Sequence, residues 1–303
     1  MYPVFAAIFP VFILLMLGNV ARRSAFLDEH FWVQAEKVTY YILFPALLVE
    51  HLAKAEVDFA SAGWLLLLAG VVPLLASLLC FLFAPWLRLN GADFTSFFQG
   101  SIRFNTYIGL AVMAVALPAP ALTLAAIIVA VMIPLVNLLC IAVFARYTHG
   151  QVRPVAILLS IVRNPLIMAS VIGIILNVLP FSLPDMLWSV VGKLGQMALP
   201  LGLLAVGAGL RLQALRESGK TLLWAALIKL VLLPALVFVL CSLLQIPPLD
   251  RAVLVMFAAL PTASSAYILA RQLGGNAAMM AVLITGETLL SMMSLPLVLL
   301  AVS

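Results

Sequence analysis

The chain has 303 residues, of which 66% are hydrophobic and 9% are charged, and it carries a formal net charge of +5. A water-soluble domain carries about a quarter charged residues, so this composition excludes a protein whose whole surface faces water. The basic residues lie mostly between long apolar runs, which indicates membrane topology rather than a nucleic-acid partner.

The apolar runs predict an all-α integral membrane protein. They do not alternate with polar residues, as the strands of a spanning barrel do, and a run of about 20 residues crosses a bilayer as a helix. In chain order the predicted transmembrane helices are 3–21, 31–53, 61–87, 95–117, 120–145, 163–181, 185–210, 221–244, 250–270 and 277–301. The three cysteines lie inside these runs at no metal-ligand spacing, so no metal site is predicted.

Prolines and glycines recur between the two halves of the chain. Pro10 and Gly18 match Pro165 and Gly173 at an offset of 155 residues. One insertion shifts the later matches to offsets of 160 to 162, namely Pro73 with Pro234, Tyr107 with Tyr267 and Pro134 with Pro296. The pattern predicts two five-helix repeats, residues 1–146 and 163–303, joined by a short cytoplasmic connection, 147–162. Because each repeat has an odd number of helices, the second is inverted relative to the first.

The Lys and Arg residues predict the orientation. They cluster in the connections that follow the odd-numbered helices, whereas the other connections hold only Lys54 and Arg251. Since the basic connections are the cytoplasmic ones, both termini are predicted on the external side of the membrane.

Charged side chains inside a membrane are costly, and each one is therefore a candidate for function. Four fall well inside predicted helices, namely Arg103, Lys193, Lys229 and Glu287. The two lysines lie about eight residues from a helix end, so their stems are expected to reach the interface, and their roles stay open. The arginine and the glutamate are the stronger candidates.

Arg103 lies in the run QGSIRFNTYIGL of the fourth predicted helix. A continuous helix would place Arg103, Thr106 and Tyr107 on one face, with the amide of Asn105 beside them. The guanidinium is always charged and can form two hydrogen bonds to a carboxylate, which predicts a site for an organic anion. The alternative is that Arg103 serves only as the counter-ion of Glu287.

Pro261 interrupts the ninth predicted helix in the run ALPTASSAYILAR. Proline lacks an N–H and clashes with the carbonyl four residues earlier, so nearby backbone groups lose their helical partners. Thr262, Ser264 and Ser265 can bond these groups, and so can a substrate or an ion. Because the run FNTY lies at the corresponding place in the other repeat, the pair of segments indicates a transporter's binding site.

Glu287 lies ten residues into the last predicted helix, with Thr288 and Ser291 nearby. Burial favours the neutral acid and a nearby cation favours the carboxylate, so two hypotheses stay open. In one, Glu287 gains and loses a proton in each transport cycle. In the other, Glu287, Thr288, Ser291 and the carbonyls near Pro261 form an oxygen-lined sodium site.

The runs RFNTYIGL, RNPLIMASVIGIIL, LGQMALPLGLLAVGAGL and LPTASSAYILARQLGG resemble the auxin efflux carrier family, in its short-loop bacterial branch. The resemblance extends along nearly the whole chain. It implies ten helices in two inverted repeats in the bacterial cytoplasmic membrane, with the fourth and ninth helices unwound where they cross at mid-membrane. It also implies organic-anion substrates such as malate, malonate or indole-acetate. Plant members carry a proline at the first crossing point, and since this chain has none there, its fourth helix is expected to be less fully broken.

These observations predict a secondary transporter of a small organic anion that needs no cofactor beyond a coupling proton or sodium ion. The predicted substrate-binding residues are Arg103, Asn105, Thr106, Tyr107, Pro261, Thr262, Ser264, Ser265 and Tyr267, and the predicted ion-coupling residues are Glu287, Thr288 and Ser291. A substrate-sensing receptor on the same scaffold is one alternative, and a membrane-embedded enzyme is a weaker one. Besides the substrate, the expected partner is the lipid bilayer, and assembly as a homodimer stays open.

Overall fold

The computed structural model describes residues 2–55, 63–148, 164–179, 183–217 and 219–302. Within these ranges every regular element is helical. In the first half the α-helices are α1 Tyr2–Arg23, α2 Glu29–Val38, α3 Phe44–Ala53, α4 Gly63–Leu87, α5 Gly91–Ile102, α6 Thr106–Ala116 and α7 Pro120–Tyr147. In the second half they are α8 Pro165–Val178, α9 Asp185–Gly209, α10 Lys220–Leu227, α11 Leu233–Leu243, α12 Pro248–Ala258, α13 Ser265–Leu273 and α14 Ala277–Val302. The π-helical turns Thr39–Leu43 and Ile228–Leu232 join α2 to α3 and α10 to α11, and a 3-10 turn, Leu212–Glu217, follows α9.

Several of these helices are long and apolar enough to cross a membrane. Among the described residues there are six, namely Ala6–Arg23, Gly63–Leu87, Pro120–Tyr147, Asp185–Gly209, Lys220–Leu243 and Ala277–Val302. The shorter helix α8 is also apolar. The remaining predicted spans, 31–53, 95–117 and 250–270, each consist of two shorter helices. The prediction of an all-helical protein is therefore confirmed for the described part of the chain.

Large apolar side chains lie on the outside of the molecule. Along α4, Leu74, Leu78 and Leu82 follow one another at a spacing of four residues and are 50%, 63% and 60% exposed. Such a stripe would be unfavourable in water, because burying apolar area is the main favourable contribution to folding there. This surface is suited to lipid.

Helices α1 and α9 approach each other until their backbones touch. A Cβ atom added at Gly18 would collide with the backbone of Leu204, and one added at Gly207 would collide with the backbone of Leu15. In membranes, small residues at such positions let two helices approach until their backbones touch. The α1–α9 seam therefore depends on glycine on both helices.

A second seam joins α8 to α3. A Cβ atom at Gly173 would lie 2.8 Å from Leu52 Cβ and 3.3 Å from Val49 Cα. Gly173 and Val49 are the residues that the sequence offset of 155 pairs with Gly18 and Leu204. The two seams thus use corresponding residues in the two halves of the chain.

The last helix, α14, lies among the other elements. It packs against α5, α10, α12 and α13, and α12 also packs against α7. Buried aromatic side chains, among them Phe97, Phe98 and Phe257, fill the space between these helices. This packing brings the ends of the two broken helices, α5–α6 and α12–α13, next to α14.

Candidate functional site

The first helix break spans Arg103 to Asn105. Helix α5 ends at Ile102, and Arg103 is extended, with φ −72° and ψ 147°. Asn105 begins the next helix, because its Oδ1 accepts hydrogen bonds from the backbone N–H groups of Tyr107 and Ile108. An asparagine in this position supplies partners for N–H groups that have none within the helix.

The break corrects the prediction that Arg103, Thr106 and Tyr107 share one helix face. The Arg103 N–H still donates to the carbonyl of Gln99 in the preceding turn, whereas in a continuous helix the Asn105 N–H would donate to the carbonyl of Ser101. The N–H of Asn105 instead donates to the carbonyl of Pro261, at 2.8 Å. A tertiary partner therefore replaces the helical one, and no proline is needed at this break.

The second break spans Ala259 to Ser264, after α12 ends at Ala258. It is longer than the first, in agreement with the proline that only the second break contains. Its backbone groups bond across to other elements, since the Pro261 carbonyl accepts from Asn105 and the Thr262 N–H donates to Glu287 Oε2 at 3.0 Å. The two breaks therefore meet, and α14 contributes Glu287 to the same place.

Glu287 is fully buried at this meeting point. Its Oε2 accepts from the Thr262 N–H and lies at hydrogen-bond distance, 2.6 Å, from the Thr262 hydroxyl oxygen. The same hydroxyl also contacts the carbonyl oxygen of Gly100 in α5. The other carboxyl oxygen, Oε1, has no hydrogen-bond partner among the described residues.

Lys229, in the π-helical turn between α10 and α11, is only 1% exposed. The prediction that its stem reaches the interface is therefore wrong, because neighbouring helices cover it. Lys193, by contrast, is exposed on α9. The positive charge of Lys229 acts on the Glu287 carboxyl group, although in the described structure no ion pair within 4.0 Å joins them.

Arg103 has only neutral partners. Its Nη2 donates to Asn137 Oδ1 at 3.0 Å and its Nη1 to Gln99 Oε1 at 3.5 Å. Within the described ranges no carboxylate lies at ion-pair distance from it, so the alternative that Arg103 is the counter-ion of Glu287 is wrong. A half-buried guanidinium without a carboxylate partner remains able to bind an anion.

Two buried side-chain amides beside Arg103 each have an NH₂ group that donates to no acceptor among the described residues. The oxygen of Gln99 faces Arg103 and the oxygen of Asn105 faces the start of α6, which fixes the direction of each NH₂ group. Gln99 Nε2 and Asn105 Nδ2 have no acceptor among the described residues. A buried donor without an acceptor costs about 1–3 kcal/mol, so these amides favour the approach of an acceptor-rich group.

Other predicted site residues lie around the two breaks. Tyr107 is buried and stacks on Phe44 of α3, with ring centroids 4.6 Å apart. Thr106 is half-buried at the start of α6. Ser264 donates to Glu36 Oε1 of α2 at 3.3 Å, so it links the second break to the helix α2.

Two predicted residues lie away from the contact between the breaks. Ser265 is exposed at the start of α13. The ring of Tyr267 lies under the guanidinium of Arg211, at 5.0 Å from its centroid. In the described structure neither residue is hydrogen-bonded to Arg103, Thr262 or Glu287, so the fold does not bring them into that cluster.

The hydroxyls predicted to join Glu287 in a sodium site bond to their own helix. Thr288 Oγ1 donates to the carbonyl of Ile284 at 2.7 Å, and Ser291 Oγ donates to the carbonyl of Thr288 at 2.7 Å. Both residues are buried beside Glu287. Their hydroxyl hydrogens are thus committed, and the carboxyl group depends on Thr262 for its hydrogen bonds.

Sequence reasoning missed several polar residues near the breaks. Glu36, Gln99 and Asn137 had not been singled out, and Lys229 had been assigned to the interface. The available signal was polarity alone, since each of the four lies inside an apolar predicted span. Uncharged amides are common in membrane helices, so Gln99 and Asn137 gave the weaker signal.

A large cavity opens toward one end of the molecule, and none of the residues at the two helix breaks lines it. It has a volume of about 960 Å³ and is lined by residues of α3, α6, α7, α9 and α12, including Leu47, Glu50, Ala114, Gln196 and Asp250. Of these residues, Glu50, Ala114 and Asp250 lie near helix ends that border connections poor in Lys and Arg. The cavity therefore opens at the end of the molecule that the charge pattern predicts to be external.

Known proteins match this chain along most of its length. The family model described as membrane transport protein matches residues 3–299, a range that includes both helix breaks and Glu287. A protein of Rhizobium meliloti (strain 1021) that carries the provisional name malonate transporter is 25% identical over 285 residues. The alignment covers 88% of this chain and 86% of that relative.

Proposed function

Since the chain belongs to the membrane transport protein family, the auxin efflux carriers, we propose that it is a secondary carrier of a small organic anion. The family is one of membrane transporters and not of enzymes, which removes the enzyme alternative. The substrate class we propose is a mono- or dicarboxylate. The relative named for malonate transport supports a dicarboxylate as the first compound to test.

The observation that carries this proposal is the surplus of donors at the first break. Arg103 has no carboxylate partner among the described residues, and the amide nitrogens of Gln99 and Asn105 have no acceptor there. A carboxylate is acceptor-only when ionised and can take hydrogen bonds from several donors at once. Such a ligand would satisfy both the charge and the unpaired N–H groups.

The direction of the half-helices supports the same ligand. Helix α6 begins at Thr106 and α13 begins at Ser265, so both N-termini lie at the breaks. A helix N-terminus carries a partial positive charge, and half-helices in transporters direct these ends toward anionic substrate groups. The breaks thus add to the positive potential of Arg103.

We propose that the ten predicted spans form two inverted repeats, residues 1–146 and 163–303. The matched seams support this proposal. At an offset of 155 residues, Gly18 corresponds to Gly173 and Val49 corresponds to Leu204. The contact of Gly18 with Leu204 is therefore the counterpart of the contact of Gly173 with Val49. The proposed connection at 147–162 lies almost wholly outside the described residues, as does Ser303. By the charge pattern, both termini lie on the external face of a bacterial cytoplasmic membrane.

In the proposed orientation, the large cavity is an external entrance to the site. On the opposite side, the Ser264–Glu36 hydrogen bond joins the second break to α2. Alternating access would close the cavity and separate this contact as one group of helices moves against the other. In this proposal an ion is coupled to that movement by Glu287, Thr288 and Ser291.

Binding to purified protein tests the role of Arg103 directly. The variant Arg103→Lys keeps the positive charge but loses the planar fork, which is expected to weaken malonate binding by about 10- to 100-fold. Arg23→Lys, at the exposed end of α1, is the matched control and should bind as wild type does. Affinity is measured from the rise in melting temperature with ligand concentration, across a panel of mono- and dicarboxylates.

Transport separates a carrier from a sensor. Proteoliposomes preloaded with the best ligand should take up labelled ligand by exchange, and Arg103→Lys should reduce this uptake at low concentration. Saturable binding without any uptake would favour the receptor alternative. Wild-type affinity in both Arg103→Lys and Arg103→Ala would remove Arg103 from the site.

A further inference from the structure

The geometry points to Glu287 as a proton-binding site, with its carboxyl group held as the neutral acid in this conformation and Thr262 transmitting its charge state to the two helix breaks. The consequence for transport rests on the proposed function, whereas the charge state of Glu287 does not. The coupling ion is then a proton, and Thr262 and Lys229 join the coupling residues.

Thr262 has too few hydrogens for Glu287 to be a carboxylate. Its hydroxyl has one hydrogen and contacts two oxygens, Glu287 Oε2 at 2.6 Å and the carbonyl oxygen of Gly100. If Glu287 were a carboxylate, both of these oxygens would need the same hydrogen. If Oε2 carries a proton, Glu287 donates to Thr262 Oγ1, and Thr262 donates to Gly100. Each short contact then contains one hydrogen.

The Gly100 carbonyl needs that hydrogen. It is among the last four carbonyls of α5, which receive no bond from within the helix. Gly100 is also packed tightly against Leu283 of α14, since a Cβ atom there would lie 2.6 Å from Leu283 Cδ1. A buried carbonyl left without a donor costs about 1–3 kcal/mol, which favours the arrangement in which Thr262 donates to it.

The surroundings of Glu287 favour a proton over a metal cation. Of the titratable groups in the described helices around it, the Lys229 amine acts on it by its charge, and the Cys80 thiol of α4 lies beside both. Arg103, at the end of α5, bonds to Gln99 and Asn137 and not to Glu287. On the helices that pack against α14, Asp93, Lys220 and Arg271 lie at the ends away from the breaks. A second cation beside Lys229 would meet its repulsion, whereas a proton on Oε2 removes a buried charge.

Ionisation would therefore loosen the contact between the breaks. When the O–H bond of the acid breaks, its proton passes to water that enters as the helices part, and Oε2 is left as an anion. The Thr262 hydrogen then turns from the Gly100 carbonyl to Oε2. Thr262 follows Pro261, whose carbonyl holds Asn105 at the start of α6, so the change reaches the proposed anion site through two adjacent residues.

Infrared spectroscopy tests the charge state without any transport measurement. At neutral pH the wild type should show a carboxylic-acid carbonyl band that Glu287→Gln lacks. The matched control is Glu29→Gln, because Glu29 is 74% exposed and paired with Arg22 at 3.2 Å, and this variant should keep the band. In Thr262→Val the band should remain and move to higher frequency, because the acid loses its acceptor. A wild-type spectrum equal to that of Glu287→Gln in this region would overturn the inference.

Gradient-driven uptake tests the consequence for coupling. A pH gradient should drive accumulation of the carboxylate by the wild type, and Glu287→Gln should keep exchange while losing that accumulation. A sodium gradient at equal pH should drive none, and accumulation under that condition would contradict a proton as the coupling ion. If no carboxylate moves through the wild type at all, the proposed function fails, and the infrared result still decides the state of Glu287.

Discussion

Alanine in place of glycine at the α1–α9 seam should destabilise the protein strongly. In Gly18→Ala or Gly207→Ala, the new Cβ atom would lie well inside 3.0 Å of the backbone of the opposite helix, a distance that real Cβ atoms essentially never show. Backbone cannot rotate away as a side chain can, so the two helices would have to separate by roughly 1 Å or more. Such overpacking destabilises the protein by about 3 kcal/mol. The higher helix propensity of alanine offsets about 1 kcal/mol of this loss.

The matched control is Gly70→Ala, in the interior of α4, where nothing lies within 4 Å of the added atom. It should be neutral or stabilising by up to about 1 kcal/mol. Because Cys80, Cys140 and Cys241 are all buried, a thiol-reactive dye reports unfolding of the purified protein. The seam variants should melt about 5 °C or more below Gly70→Ala. Equal melting temperatures would show that α1 and α9 do not approach as closely as the structure has them.

Two further predictions concern the first break and the topology. Asn105→Ala removes the acceptor for two N–H groups of α6 and should cost about 1 kcal/mol of stability. Asn105→Asp keeps that acceptor but replaces the free NH₂ group with a carboxyl oxygen. Anion binding should therefore fall in both variants, and the cap should be lost in only the first. Thermal unfolding and ligand titration of the two variants separate these effects. Reporter fusions after Arg216 and Ser303 should be cytoplasmic and external, respectively, and a cytoplasmic C-terminus would contradict both the ten spans and the inverted repeat.

Local chemistry made the helices and one of the breaks predictable. Apolar runs of sufficient length have few alternatives in a bilayer, and Pro261 disrupts a helix wherever it occurs in its interior. The first break was expected from resemblance alone, because nothing in the residues 103–105 forbids a helix. Its cause is tertiary, since the carbonyl of Pro261 and the side chain of Asn105 together replace the helical bonds.

The partners of the buried charges could not be predicted from the sequence. Whether a lysine reaches the interface depends on which helices cover it, and for Lys229 that cover comes from elements far along the chain. For Arg103 the sequence suggested a ligand or Glu287 as the partner. In the structure its hydrogen-bond partners are Asn137 and Gln99. Such hydrogen bonds depend on how neighbouring helices are aligned along their axes. The periodicity of a single helix does not report that alignment.

Stability measurements on Lys229→Met and Glu287→Gln provide the last test, because they distinguish a preformed ion pair from a neutral acid. If the two residues were ionised partners, removing either would leave a buried charge uncompensated and cost about 3–5 kcal/mol, while the double variant would recover much of that loss. With Glu287 already neutral, Lys229→Met leaves no stranded anion.

That variant should therefore unfold at or above the wild-type temperature. Glu287→Gln should lose only about 1 kcal/mol, the value of one hydrogen bond, because the amide cannot both donate to Thr262 Oγ1 and accept from the Thr262 N–H through the same atom. The double-variant cycle should accordingly give an interaction energy near zero. A large loss in Lys229→Met that is rescued by Glu287→Gln would mean that the carboxyl group is ionised in the resting protein, since only a charged Glu287 depends on the lysine for its compensation.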